Sequence, residues 1–175
     1  MARHALAALL AAALALPGCR SSGATELEAL YEENLADDGQ GGGEALRKAE
    51  SRRVARIARV RLLTADPQAL SLEERLFGAA VLLDSSDLSD LGLAEDLALS
   101  AAEAGDDRGF PLAAEAIDRQ CLVLGQPQRY GTQYIWSPET QRWSLYSTDP
   151  ATTDAERRAM GLASLSEARA LAADL

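Results

Sequence analysis

Residues 93–125 read LAEDLALSAAEAGDDRGFPLAAEAIDRQCLVLG, and they set the architecture. Leu93 to Ala104 carries a helical pattern that Gly105 closes; a glycine just past the last helical residue is a preferred stop. Asp107 to Leu124 is helical again, with Pro111 tolerated in the first turn and Gly125 as the stop. Ala113, Ile117, Cys121 and Leu124 recur at helical spacing, so Cys121 is expected to face the core as a small hydrophobe. A reactive or intermolecularly paired thiol is the other reading of that residue. The connection between the two helices is short, which makes them antiparallel neighbours. Alanine supplies 35 residues of the chain and aromatics only 5%. Small side chains and few aromatics suit closely packed helices better than a β-sandwich.

The pattern extends in both directions. Upstream, Ser71-Leu72-Glu73-Glu74 is a capping box that opens a helix to about Leu83. Before it, Glu44 to Thr64 is the longest helical pattern, and Pro67 ends it. Leu46, Val54, Ile57 and Ala58 lie on one side, Lys48, Arg52, Arg56 and Arg59 on the other. Thr25 to Ala36 forms a first helix with Thr25 and Glu28 as its cap. The run Asp37-Asp38-Gly39-Gln40-Gly41-Gly42-Gly43 then reads as a flexible linker, which makes that helix a stalk element. Downstream, Tyr130 to Trp136 and Arg142 to Ser147 hold five of the eight aromatics and read as a β-hairpin around Ser137-Pro138-Glu139-Thr140. An isolated hairpin is marginal in water, so one of its faces should lie on the helices. Thr153 with Glu156 and Ser164 with Glu167 cap two short terminal helices. The expected fold is mainly α: antiparallel helix pairs, solenoid-like or bundled, with one C-terminal β-hairpin and two short terminal helices. Residues 19–43 are tether, short helix and Gly-rich linker. Residues 44–175 are a single helical domain, with the hairpin near 130–147.

The 175-residue length suits about one domain. The formal net charge is −10, with 27 acidic residues against 17 basic ones. That balance excludes a general nucleic-acid binder, because such a surface does not displace counterions from phosphate. At the N-terminus, Arg3 and His4 precede an unbroken apolar run from Ala5 to Leu16. Twelve residues do not span a bilayer core of about 30 Å, but they match the apolar region of a secretory signal. Leu16-Pro17-Gly18-Cys19 follows and resembles the lipobox of bacterial lipoproteins. The resemblance implies cleavage of residues 1–18 and lipid (palmitate-type acyl chains) on Cys19, with the membrane as a partner through that anchor. Several acyl chains hold firmly where one is marginal. Arg20 and Ser21 follow the cysteine, with no Asp to resemble an inner-membrane retention signal. The expected location is therefore the cell envelope, lipid-anchored at the outer membrane and facing the periplasm.

Cleavage there leaves 157 residues (175 less 18) and a charge of −11, since Arg3 departs with the signal. His4, the one histidine, departs as well. A chain without histidine cannot build Ser-His-Asp or Cys-His nucleophile pairs, histidine general bases or histidine metal ligands. Cys121 is then the one cysteine free of lipid, so no intramolecular disulfide is expected. No cofactor or metal motif is present: there is no P-loop, no G-x-G-x-x-G after a strand and no Cys/His metal spacing.

Asp118-Arg119 and then Gly125-Gln126-Pro127-Gln128-Arg129-Tyr130-Gly131-Thr132-Gln133 form the distinctive segment. It resembles the DUF6624 family, whose members carry such an Asp-Arg and Tyr-Gly-Thr-Gln segment after paired helices. The similarity runs from about Glu44 to Leu165. It takes in the Arg-rich helix, the LAEDLALSAAEAGD helix, Asp149-Pro150, Thr153-Asp154 and Arg157-Arg158. Where family members often carry Gln-His, this chain has Asp84-Ser85. The resemblance implies a shape and a candidate site rather than a reaction. Chemically, Gln128, Thr132 and Gln133 offer amide and hydroxyl groups suited to peptide or sugar. Tyr130, Tyr134 and Trp136 offer flat surfaces with a polar edge, and Gly131 permits positive φ or close approach. Asp118 and Arg119 are candidates for a charge pair, with the arginine able to grip a carboxylate. The ligand-binding candidates are thus Asp118, Arg119, Gln128, Tyr130, Gly131, Thr132 and Gln133. The same residue types would equally serve to lock a hairpin onto a helix through a buried polar network.

Arg47, Lys48, Arg52, Arg53, Arg56, Arg59 and Arg61 concentrate basic charge within fifteen positions. The stripe fits either an anionic surface or pairing with the protein's own acids. Asp84, Asp87 and Asp90 suggest Ca²⁺ by spacing but lack the EF-hand glycine and terminal Glu, so they read as a polar interhelix loop. Three functions follow. One is a non-catalytic envelope lipoprotein that binds a peptide, glycan or protein partner. Another is a carboxylate-dependent hydrolase of the envelope using Glu115, Asp118 and Asp154, which requires two acids in one cleft. The third is a structural scaffold.

Overall fold

The computed structural model describes residues 25–37 and 43–174. Cys19, the signal and most of the linker lie outside the described residues. Among the described residues, seven α-helices and one two-stranded sheet follow in the order α1 (Glu26–Ala36), α2 (Glu44–Leu63), α3 (Leu72–Leu82), α4 (Leu88–Glu103), α5 (Gly109–Val123), β1 (Tyr134–Ser137), β2 (Arg142–Leu145), α6 (Asp154–Ala159) and α7 (Leu165–Asp174). A 3₁₀ turn at Pro67–Ala69 links α2 to α3. No helix among the described residues is long and apolar enough to cross a membrane.

Alanine explains the packing at the centre. Ala94, Ala98 and Ala101 of α4 and Ala113, Ala114 and Ala116 of α5 are fully buried. Gly109, at the start of α5, sits so close to α4 that an added methyl would overlap the Ala98 carbonyl oxygen. Small residues at the contact let two helix backbones approach closely. Leu76, Val81, Leu82, Leu97 and Leu112 fill the space around this seam. Contacts run antiparallel along each pair. Gly109 at the start of α5 lies on Ala98 and Ala102, Gln120 near its end donates to Glu95 in the middle of α4 at 2.7 Å, and Gly78 of α3 faces Leu97 of α4.

The expected caps form. Ser71 and Glu74 exchange hydrogen bonds, as do Thr153 and Glu156, and Ser164 and Glu167. One boundary moves: α4 begins at Leu88, not Leu93, because the Asp87 carboxylate accepts from Ser89 N and caps it. Asp90, expected in a polar loop, is instead buried in the first turn of α4, where it takes Arg61 and the Ser85 hydroxyl.

Two expectations about the N-terminal half are corrected. α1, expected in a stalk, packs in the core: Leu27 and Tyr31 are buried, and Tyr31 stacks on Phe77 of α3 with ring centroids 5.1 Å apart. It runs antiparallel to α2, with Glu26 on Arg59 and Asp37 on Arg52 and Arg56. The inward face of α2 is also different from the apolar side expected. Leu46, Val54 and Ala58 are exposed, while Arg56, Ile57 and Val60 are buried. Asp37 at the end of α1 holds Arg56 in this inward face, while Lys48, Arg52 and Arg59 stay exposed.

Candidate functional site

Asp118 is the centre of the distinctive segment. It lies in the last half of α5 and is fully buried at 0% exposure. Its carboxylate accepts from Tyr130 N at 2.7 Å, Thr132 N at 2.8 Å and the Thr132 hydroxyl at 2.8 Å. Burial pushes its pKa up, and the donors from Tyr130, Thr132 and Arg129 oppose that rise. A loop that would otherwise bury orphan N–H groups is thereby satisfied.

Gln128 does the same for the hairpin. It too is 0% exposed. Its Nε2 donates to the Gln133 and Tyr146 carbonyls at 3.1 and 3.0 Å, and its Oε1 accepts from Gln133 N at 2.8 Å. Its backbone bridges to the other side, with Gln128 N on Ser147 O and Asp149 N on Gln128 O. Tyr130 to Gln133 therefore form a loop pinned to α5 rather than strand, and β1 starts only at Tyr134.

Gly131 takes φ +74°, and a Cβ there would lie 2.8 Å from Arg157 Nη1 and 3.0 Å from the Thr148 methyl. Arg157 is itself buried at 3% exposure, with Nε donating to Ala163 O at 2.8 Å. Its Nη1 is the buried side-chain polar atom left without a hydrogen-bond partner among the described residues. Burial lowers its pKa, while the charges of Asp118 and Asp154 raise it.

The expected ligand-binding set thus divides. Asp118, Gln128, Tyr130 and Thr132 are all buried, with the Asp118, Gln128 and Thr132 side chains and the Tyr130 backbone N–H hydrogen-bonded inside. Gln133 is half-buried and donates from Nε2 to the Thr132 hydroxyl at 3.1 Å. The Asp118–Arg119 pair does not form, because adjacent helical residues point apart. Arg119 instead grips Glu115, one turn earlier, and donates to Leu83 O at 2.7 Å. The arrangement is that of a lock between hairpin and helix. Cys121 is half-buried, not in the core, and burial raises its thiol pKa.

Each candidate acid is engaged by a partner of its own. Glu115 is held by Arg119, Asp118 by the loop, and Asp154 by Leu165 N at 2.8 Å. No group of three His, Cys, Asp or Glu among the described residues is placed to hold a metal ion. Six of the seven residues of the basic stripe pair internally: Lys48 with Glu44, Arg52 and Arg56 with Asp37, Arg53 with Glu50, Arg59 with Glu26, and Arg61 with Asp90.

The surface the lock supports is aromatic. Trp136 and Trp143 face each other across β1 and β2, with ring centroids 5.5 Å apart at 60°. Trp136 and Ile135 are each 41% exposed. Tyr134, on the same strand face as Trp136, anchors the hairpin by donating its hydroxyl to Ala168 O at 3.0 Å. Trp143 was missed as a site residue from the sequence. The turn expected at Ser137–Thr140 did not pair it with Trp136; the register Ser137↔Arg142 does, with residues 138–141 as the loop. No family model matches the chain, and neither does any curated protein or solved structure.

Proposed function

We propose that the protein is a non-catalytic interaction module of the cell envelope, anchored at the outer membrane by lipid on Cys19, that presents its hairpin to a peptide, glycan or protein partner. The observation that carries this reading is the inward-facing network of Asp118, Gln128 and Thr132, which fixes a hairpin whose Trp136 stays at the surface. A rigid support under an exposed aromatic favours binding, since little freedom is lost on association. The Leu16-Pro17-Gly18-Cys19 segment supports the anchor. The separate engagements of Glu115, Asp118 and Asp154 weigh against a two-carboxylate hydrolase.

The test is crosslinking and recovery of the lipidated protein from its own envelope. Capture of a partner by the wild type, lost in Trp136→Ala at unchanged melting temperature, supports the module. Equal capture by both moves the contact away from the hairpin. Cys19→Ser, followed by membrane fractionation and mass measurement, tests the anchor separately.

A further inference from the structure

We infer that the outer face of α2 rests on the anionic surface of the bilayer that holds the lipid, so that the anchored body lies on its membrane in one orientation. The inference rests on the proposed anchor at Cys19 and adds to it a protein surface that touches lipid. The first observation is the face itself. Arg47, Ser51, Val54, Ala58 and Leu62 fall at spacings that place them on one side of α2. All five are exposed, Val54 at 55% and Leu62 at 70%. The core takes the other side, through Arg56, Ile57 and Val60. At 1.5 Å per residue the stripe is about 22 Å long.

The second observation is charge. α2 carries seven basic residues and two acids on a chain of formal charge −10. Both acids are matched within the helix, Glu44 by Lys48 and Glu50 by Arg53. The stripe itself holds no acid. Arg47, at one end of it, forms no ion pair among the described residues. Apolar side chains flanked by an uncompensated base are the makeup of a surface that sits at a bilayer interface. An anionic leaflet attracts that side and repels the acidic remainder of the body.

The third observation is where the tether ends, and it names the occupant. Six residues separate Cys19 from the start of α1, a reach of about 20 Å when extended. That is shorter than α2, whose 20 residues span about 30 Å. The first turn of α1 lies beside the last turns of α2, with Glu26 on Arg59 at 2.6 Å. Packed helix axes are about 8–10 Å apart, so a lipid-held chain keeps the Leu62 end of the stripe within reach of the bilayer. A soluble partner has no such leash to this face.

The test uses the lipidated protein in vesicles of phosphatidylethanolamine and phosphatidylglycerol with brominated acyl chains. Bromine quenches a tryptophan that meets the hydrocarbon boundary. Leu62→Trp should be quenched at an unchanged melting temperature. Val123→Trp, 46% exposed at the end of α5, should not be, nor should Trp136 and Trp143 of the wild type. Adding Arg47→Glu to Leu62→Trp should lower the ratio of quenched to unquenched molecules at least about fivefold, the weight of one basic residue at an anionic surface. Exchange of phosphatidylglycerol for phosphatidylcholine should lower it in the same direction. Equal quenching of Leu62→Trp and Val123→Trp overturns the proposal, as does quenching of the wild type, which puts the hairpin on the bilayer. So does quenching that Arg47→Glu and the lipid exchange both leave unchanged. A Leu62→Trp signal that responds to protein density and not to bromine overturns it too, because a second copy then covers the face. Mass measurement at Cys19 separates the two readings: lipid present without quenching leaves the anchor and removes the α2 contact, and lipid absent removes both.

Discussion

Asp118 is buried and Asp37 half-buried, and their surroundings drive the two carboxyls in opposite directions. Asp37 takes Arg52 and Arg56, and those guanidiniums hold its pKa at about 2. A carboxyl whose folded pKa lies below its unfolded value stabilises the fold fully above the unfolded pKa. That contribution is lost as pH falls through the folded one. Stability should therefore drop between about pH 4 and pH 2, and Asp37→Asn should flatten that part of the profile in acid melts. At neutral pH the same variant leaves Arg56 short of an anion, with Asn34 still accepting from its Nε, and should cost about 2–3 kcal/mol in denaturant unfolding. Asp118 is raised by burial, so its charged form costs stability above its folded pKa and the cost is relieved on acidification. It nonetheless collects three donors, and Asp118→Ala would strand two backbone N–H groups. A loss of at least about 3 kcal/mol is expected by denaturant titration, with the hairpin aromatic signal melting at the same midpoint.

Among the elements, α5 does two jobs with two faces. One face is alanine and glycine against α4, and Gly109→Ala should drive the helices apart, lowering stability by about 3 kcal/mol or more in thermal melts. The other holds the loop through Asp118. The helices were largely legible in sequence because capping residues, stops and periodicity all agreed. The exceptions are instructive. Periodicity put Leu46, Val54 and Ala58 on the inner side of α2, yet the side that packs is set by α1 and carries Arg56. Local hydropathy cannot register a buried arginine whose partner, Asp37, lies 19 positions away. The start of α4 was misplaced for a related reason: an aspartate reads as loop until its cap is seen. In the site, the residue types of a binding cleft and of a buried lock are identical. The separation depends on burial, which one sequence does not encode for Gln128. For Arg157, nothing local signals that a surface-type residue will be enclosed.

For the molecule as a whole, α1 is part of the folded unit despite the Gly-rich stretch behind it. A chain beginning at Gly43 would uncover Phe77 and lose the burial of Leu27 and Tyr31, worth about 1.5–3 kcal/mol each. It should melt well below the full chain by calorimetry, with a broader transition.

That packing also has a mechanical side. In a chain held by lipid at Cys19, the six residues from Arg20 to Thr25 reach about 20 Å when extended. Any drag on the body is therefore delivered to the first turn of α1, where the Glu26–Arg59 clasp sits. Tension would load that clasp before it reached the α4–α5 seam. The antiparallel α1 would peel from the end nearest the membrane, like a seat belt releasing at its buckle, while the rest of the body kept its shape.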